Sequence, residues 1–209
     1  MKIEVLPVTP FQQNCSIIIC TDTNKAAIVD PGGEVERIVE RLKALKVEPE
    51  KILITHAHID HAGGTEDLSK QLDLPIIGPH KEDSFWIDKL ADQSRMFQFP
   101  EAKVFEPTQW LNDKDVVSVG DLELEVRFCP GHTPGHVVFI NHKHKWCWVG
   151  DVLFNGSIGR TDFPRGDFDT LITSIKNNLL TLDDDYQFLS GHGPTSTIGN
   201  ERAHNPYLR

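Results

Sequence analysis

The stretch KILITHAHIDHAGG (residues 51–64) joins an apolar, β-branched run to a dense group of metal-binding side chains. The run KILIT is typical of a buried strand. Directly after it the chain carries four ligand-type residues within six positions: His56, His58, Asp60 and His61. A briefly extended backbone turns the histidines at 56 and 58 to the same side, and a following turn directs the other two residues to a neighbouring point. Because ligand sites favour the carboxyl ends of strands, the stretch predicts two adjacent metal centres.

The same arrangement, a strand followed by polar ligands and glycines, recurs three times further along the chain. RFCPGHTPGH supplies His132 and His136, WCWVGD supplies Asp151, and FLSGHGP supplies His192. Imidazoles and carboxylates without converging thiolates suit zinc, manganese or iron better than calcium or copper(I). Zinc is the first expectation for this donor set.

Hydrophobic patterning predicts a mixed α/β chain. Short β-branched runs predict strands at residues 2–8, 15–20, 26–30, 51–55, 122–128, 137–140 and 146–150. Helical periodicity predicts amphipathic helices at residues 34–46, 65–72 and 168–180. Early hairpin-like strands followed by strand–helix–strand units favour two sheets with helices packed outside them over one doubly wound parallel sheet.

The composition is that of an ordinary globular chain, with 209 residues, 39% of them hydrophobic and 25% charged. It predicts a single domain over residues 1–209. No apolar run approaches the roughly 18 residues of a membrane span, and the start MKIEVLPVTPFQQ lacks the segments of a secretory signal. We therefore expect a cytoplasmic protein outside the membrane. Its four cysteines have no CxxC spacing and are expected to stay reduced: Cys15, Cys20, Cys129 and Cys147.

The charge balance is acidic, with 31 Asp and Glu against 21 Lys and Arg and a formal net charge of −10. Nucleic acid is disfavoured as a partner, because a phosphate backbone is normally met by a basic surface and the chain has no Lys/Arg run. An anionic small molecule would need a local basic patch. Arg160 and Arg165 follow Asp151 closely enough to supply one, with intraloop salt bridges to Asp162 or Asp167 as the alternative.

Taken together, the motifs HxHxDH (56–61), GHTPGH (131–136), GD (150–151) and GHG (191–193) resemble those of the metallo-β-lactamase superfamily. More narrowly, the chain resembles the type II glyoxalase (hydroxyacylglutathione hydrolase) branch in its short, single-domain bacterial form. The resemblance implies a four-layer αβ/βα sandwich, in which two mixed β-sheets carry helices on their outer faces and metals lie between the sheet edges. It also implies a monomer or a weak oligomer.

The resemblance implies a role for each candidate residue. His56, His58 and His132 would hold a first metal, and Asp60, His61 and His192 a second. Asp151 would bridge the two, while His136 and Asp30 in IVDPGG would support ligands from behind. The implied cofactor is a pair of zinc ions, with iron or manganese as alternatives in either position.

The activity implied by the resemblance is hydrolysis of S-lactoylglutathione to lactate and glutathione. Two metals would share a water whose pKa falls from 15.7 toward about 7, and Asp60 would orient the resulting hydroxide. Asp60 and Asp151 are thus the candidate catalytic residues. A thiol has a pKa near 8.5, so the thiolate would leave with little help from a general acid.

Three differences from related members of the superfamily limit the activity and the substrate pocket that the resemblance implies. Zinc β-lactamases of the superfamily have either a cysteine or no bridging carboxylate where Asp151 stands, which argues against β-lactamase activity. Only 17 residues follow His192, so we expect no counterpart of the helical domain that binds glutathione in longer type II glyoxalases, and a substrate pocket that is built differently. NGSIGRTDFPRGD (155–167) resembles the family's GCGR stretch but has Ser157 and Ile158 in its first two positions.

Rival functions share the same ligand set. A persulfide dioxygenase would use one iron on His56, His132 and Asp151, and a lactonase would use both metals on a cyclic ester. A non-catalytic module stabilised by metal is disfavoured, because structural zinc sites are closed and usually rich in cysteine.

Overall fold

The first half of the chain forms a five-stranded mixed sheet in the order β1-β2-β3-β4-β5. The computed structural model describes residues 1–209. β1, β2 and β3 pair antiparallel, whereas β3, β4 and β5 run parallel. The strands are β1 (Lys2–Val8), β2 (Gln13–Ile19), β3 (Lys25–Val29), β4 (Glu48–Leu53) and β5 (Ile76–Ile77).

The second half forms a six-stranded mixed sheet in the order β13-β12-β9-β8-β7-β6. β9 and β12 are parallel, and the other neighbours are antiparallel. Its strands are β6 (Val116–Val119), β7 (Leu122–Phe128), β8 (Val137–Asn141), β9 (Trp146–Gly150), β12 (Gln187–Ser190) and β13 (Ser196–Thr197). A separate two-stranded ribbon pairs β10 (Leu153–Phe154) with β11 (Ser157–Ile158).

The helices are short, and none is long and apolar enough to cross a membrane. They are α1 (Val35–Leu45), α2 (Ile59–Ala62), α3 (Thr65–Leu72), α4 (Ser84–Ile87), α5 (Leu90–Phe97), α6 (Phe168–Ser174) and α7 (Ile198–His204). A 3₁₀ turn (Lys81–Asp83) precedes α4, and a π-helical turn (Ile175–Leu179) follows α6.

Successive side chains of each strand point alternately to the two faces of its sheet, and this alternation packs the helices and sheets into layers. In β2, Ile17 packs among residues of α1 and α3, while its neighbour Ile18 packs against the second sheet. In β8, Phe139 faces the first sheet, while Val138 packs with residues of α6 and α7. Because successive side chains of a strand point to opposite faces, both sheets are buried on both sides. The expected four-layer αβ/βα sandwich is confirmed.

Most of the predicted elements are present within one or two residues. The helix predicted at 168–180 ends at Ser174 and continues as the π-helical turn. The helical segment from Ser84 to Phe97 was not predicted. The four cysteines are buried and free, as expected.

Candidate metal centre

The pairing of the strands brings the candidate ligands to one edge of the sandwich. β9 and β12 are parallel, so the residues after them, Asp151 and His192, emerge side by side. β8 runs antiparallel to β9, so the loop before β8 returns to the same edge with His132. From the first sheet, the segment after β4 joins this edge where Val137 N donates to Thr55 O at 2.9 Å. The donors are therefore divided between the two sheets.

A second junction between the sheets holds the loop around His192. Asn14, in β2 of the first sheet, donates from its backbone N to Gly191 O at 2.7 Å. Its side-chain Nδ2 donates to Ser190 O at 3.0 Å and to Gly193 O at 2.9 Å. One asparagine thus fixes the carbonyls on both sides of His192.

The first cluster consists of His56, His58 and His132, whose ligand atoms all lie within 4.8 Å of one another. His132 Nδ1 donates to Arg160 O at 2.7 Å, which leaves its Nε2 facing His58 Nδ1 at 2.9 Å. His56 Nε2 is buried without a protein partner. Three imidazole nitrogens thus converge on one point.

The second cluster consists of Asp60, His61 and His192, again within 4.8 Å. His192 Nε2 lies 3.1 Å from Asp60 Oδ2, and His61 Nε2 lies 3.8 Å from the same oxygen. Asp151 contacts both clusters: its Oδ1 is 3.2 Å from His61 Nε2, and its Oδ2 is 3.6 Å from His132 Nε2. A single carboxylate therefore lies between the two groups of imidazoles.

The hydrogen-bond partners of the histidine rings indicate that this donor set fits metal cations. We assign the ring proton of His61 to Nδ1, which bonds Asp30 Oδ2 at 2.9 Å, and that of His192 to Nδ1, which bonds Phe11 O at 3.2 Å. Nε2 of each ring then faces carboxylate oxygens, an arrangement that requires either a proton on Nε2 or a metal cation between the two atoms. Asp151 Oδ1 is also buried without a hydrogen-bond partner. The residues fit a binuclear metal site.

Electrostatics differ between the clusters. Burial lowers the pKa of His56 and of His58 well below the usual value, so both imidazoles are neutral, as metal ligands must be. Burial also opposes a charge on His61, but Asp151 and Asp60 outweigh it and hold the pKa of His61 well above its usual value. Burial would raise the pKa of Asp151, yet His61 and His132 hold it far lower. Metal binding at the second cluster would therefore displace a proton from His61.

Asp30 and His136 lie behind the two clusters. Asp30 Oδ2 accepts from His61 Nδ1 and from Thr55 Oγ1 at 2.6 Å, and its Oδ1 accepts from Thr55 N at 2.7 Å. His136 stacks on His56, with ring centroids 4.5 Å apart, and its Nε2 accepts the backbone N–H of Asp151 at 3.1 Å. These contacts fix the orientation of His61 and the backbone of Asp151.

Asp83 is a buried carboxylate that sequence reasoning missed. It accepts hydrogen bonds from Ala57 N at 2.9 Å, from Thr133 Oγ1 at 3.0 Å and from Gly135 N. These donors lie beside His56, His58 and His132, so one side chain ties together the two loops of the first cluster. Burial raises the pKa of Asp83 to about 7 despite the donated hydrogen bonds.

Replacing Asp83 with Asn should loosen the first cluster. The amide keeps the shape but turns one oxygen into a donor that faces other donors, and an unpaired buried donor costs about 1–3 kcal/mol. At pH 8, where the Asp83 carboxyl group is ionised and accepts all three hydrogen bonds, we expect the substitution to weaken metal retention during dialysis. Asp67→Asn, which removes a surface contact to Lys103, is the matched control. Equal retention in both variants would contradict this role.

The two candidate arginines take different positions. The Arg160 guanidinium forms a bidentate pair with Asp162, at 2.6 and 2.7 Å, and lies over Phe163 at 4.1 Å from the ring centroid. The intraloop salt bridge considered as its alternative is therefore present. Arg165 has no such pair and lies over Phe85, with its Cζ 4.1 Å from the ring centroid.

A cleft of about 800 Å³ opens over the clusters. His58, Asp60, His132, Asp151 and His192 form its floor. Its walls are largely apolar. They come from the loop between β1 and β2, from α4 and α5, from the β10–β11 ribbon and from the loop after β11: Phe11, Phe85, Trp86, Met96, Phe97, Phe154, Ile158, Phe163 and Pro164. Sequence reasoning missed this wall together with the segment that carries α4 and α5.

Comparison with known proteins gives consistent results. Residues 8–192 match the family model of the metallo-beta-lactamase superfamily. Hydroxyacylglutathione hydrolase GloC of Haemophilus influenzae is 45% identical over 209 residues, which cover 100% of this chain and 98% of that protein. The crystal structure of the BLEG-1 B3 metallo-beta-lactamase superposes with a TM-score of 0.91 at 35% identity, covering 99% of each chain. That of TTHA1623 in a di-iron-bound form gives 0.90 at 32% identity, covering 98% of this chain and 100% of the other.

The matched region contains both clusters, the carboxylate between them and every strand of the two sheets except β13 and most of β1. The sandwich, the divided donor set and the full-length likeness agree with one another. The chain belongs to the metallo-beta-lactamase superfamily and is a metal-dependent hydrolase.

Proposed function

We propose that the chain, as one domain over residues 1–209, hydrolyses glutathione thioesters, with S-lactoylglutathione as the preferred substrate. The observation that carries this proposal is the Asp151 carboxylate in contact with both clusters at the floor of the cleft. The 45% identity to a hydroxyacylglutathione hydrolase over the full chain supports the substrate class.

In this proposal His56, His58 and His132 hold one metal, His61, His192 and Asp60 hold the other, and Asp151 is shared. Bound divalent metals supply Lewis acidity and a water of lowered pKa, near 7. Zinc is the first choice, with iron or manganese as alternatives. A protein 32% identical to this chain has been crystallised in a di-iron-bound form, which supports iron as an alternative.

The chain's own residues position the reaction. Asp60 would orient the attacking water, whose oxygen adds to the thioester carbonyl carbon. The carbon–sulfur bond then breaks, giving lactate and the glutathione thiolate, while the two protons of the water pass to solvent. Because the thiol pKa is near 8.5, the thiolate leaves without a dedicated proton donor. The apolar walls exclude other water from the floor of the cleft.

The direct test is turnover of S-lactoylglutathione by protein loaded separately with zinc, iron and manganese. Lactate and free thiol should appear in equal amounts with at least one metal. Glutathione persulfide, a lactone and a β-lactam should be assayed in parallel. The β-lactam is included because a structural relative is a B3 metallo-beta-lactamase. Oxygen consumption with the persulfide, or lactone opening without thiol release, would replace the proposal with the corresponding rival.

Removing the metal distinguishes a metal-dependent enzyme from a non-catalytic module whose fold depends on bound metal. After dialysis against a chelator, we expect the activity to vanish while the circular dichroism spectrum is retained, because three buried apolar clusters hold the sandwich. Adding back metal should restore turnover. Elemental analysis of the replete protein should give two metals per chain. Unfolding on chelation, or a single metal per chain, would contradict this expectation.

A further inference from the structure

Two cationic side chains meet on one aromatic ring at the wall of the cleft. Lys89 Nζ lies 5.2 Å from the centroid of Phe85, and Arg165 Cζ lies 4.1 Å from the same centroid. Phe85 and Lys89 both border the cleft that contains Asp151. Two positive charges from separate parts of the chain therefore lie against the same ring.

Neither cation is neutralised by the protein. The ion pairs of the molecule include Arg160 with Asp162 but none that involves Lys89 or Arg165. Neither terminal group donates a hydrogen bond to a protein acceptor, whereas Arg160 uses its N–H groups on Asp162. A guanidinium stacked on a ring face keeps its in-plane N–H donors free for a carboxylate. In a chain of net charge −10, Lys89 at the cleft and Arg165 beside the wall residue Phe85 are two unpaired cations that can attract an anion there.

The distance from the floor of the cleft suits a tripeptide thiol. Two ring-to-ring steps, His58 to Trp86 at 4.6 Å and Trp86 to Phe85 at 5.3 Å, lead from the first cluster to the pair of cations. Each extended residue spans about 3.5 Å, so a carboxylate one residue beyond the acylated cysteine lies roughly 7 Å or more from the sulfur. A thioester carbonyl at the floor and a peptide carboxylate at Phe85 can therefore be bound together.

We propose that Lys89 and Arg165, held on Phe85, form a carboxylate subsite for the peptide part of the thioester substrate. This inference rests on the proposed function and specifies it. The subsite replaces Arg160, which is committed to Asp162, as the anchor of the substrate. It serves binding of the peptide, not the chemistry at the carbonyl.

The test compares Lys89→Gln, Arg165→Gln and the double variant on two substrates with the same acyl group. S-lactoylglutathione carries carboxylates, and S-lactoyl-N-acetylcysteamine carries none. We expect KM for the glutathione ester to rise roughly tenfold in each single variant with kcat nearly unchanged, as for the loss of a charge-assisted contact made before the reaction. KM for the truncated ester should stay within about twofold of the wild type. Lys103→Gln, which breaks a surface pair with Asp67, is the control.

Binding without turnover gives a second readout. S-methylglutathione, which cannot be hydrolysed, should bind the metal-loaded wild type by calorimetry, and its Kd should rise roughly tenfold in Lys89→Gln and with added salt. If the wild type cleaves the truncated ester but the variants leave KM and Kd for the glutathione ligands unchanged, the subsite is refuted and the thioesterase proposal stands. If no thioester is cleaved while S-methylglutathione binding depends on Lys89, the proposed function fails and the subsite stands. A KM effect confined to Arg160→Gln would also overturn the subsite.

Discussion

Replacing Asp151 with Asn should lower kcat for thioester hydrolysis by roughly a thousandfold or more, or about 4 kcal/mol in the activation barrier. The carboxylate contacts imidazoles of both clusters, and its pKa is held far below the usual value by His61 and His132. An amide of the same shape removes that negative charge from the place where both cations would be bound. Steady-state kinetics with metal-replete protein measure the effect.

The fold should survive this substitution, because the backbone N–H of Asp151 still bonds His136 Nε2. Thermal unfolding and the circular dichroism spectrum check that point. Asp67→Asn, at a surface contact, serves as the matched control and should keep normal turnover. Near-normal kcat in Asp151→Asn with both metals retained would falsify the bridging role.

Replacing Gly191 with Ala should abolish the second metal position and reduce turnover about a hundredfold or more. A Cβ atom at this position would lie 2.1 Å from Asp151 Oδ1 and 2.4 Å from His61 Cε1. His61 cannot retreat, because its ring is buried and bonded to Asp30. The methyl group therefore occupies the space between Asp151 and His61. Adding excess metal cannot restore the activity, because the two side chains can no longer reach the same ion.

Gly193→Ala in the same loop is the control for Gly191→Ala. Gly193 has a left-handed φ of +75°, and a Cβ there meets nothing within 4 Å. This variant should lose about 1–2 kcal/mol of stability from its backbone conformation while keeping both metals. Elemental analysis after equal metal loading compares the two proteins. Two metals in Gly191→Ala, held as firmly as in the wild type, would contradict the steric argument.

The seven strands of five or more residues could be predicted from the sequence because they are β-branched apolar or alternating runs, such as KILIT before His56, whereas the shorter strands of both sheets were not predicted. The helices α4 and α5 could not be predicted. α4 spans only four residues, too short for a helical period to stand out from the surrounding chain. α5 spans eight, but four consecutive polar residues, 92–95, interrupt its apolar positions. Trp86 and Ile87 are adjacent, and Asp88 and Lys89 interrupt the apolar pattern, so the wall of the cleft carries no periodic signal.

The candidate ligands could be predicted because each follows a strand and brings an unusual residue type to a loop. Asp83 carries no such signal. Its partners Ala57 and Gly135 lie 26 and 52 positions away along the chain, and it bonds their backbone N–H groups, which every residue except proline possesses. For Arg160, the sequence left two alternatives open: binding an anionic substrate and a salt bridge within the loop. The structure shows the salt bridge, to Asp162.

The division of the metal-binding donors between the two sheets bears on how the protein matures after synthesis. Residues 56–61 leave the ribosome well before His132, Asp151 and His192, and the early segment alone lacks a complete donor set for either cation. Metal uptake is therefore expected late, once the two halves of the chain have docked. Stopped-flow refolding in the presence of a fluorescent zinc indicator should show the burial of Trp148 between the sheets before zinc disappears from solution.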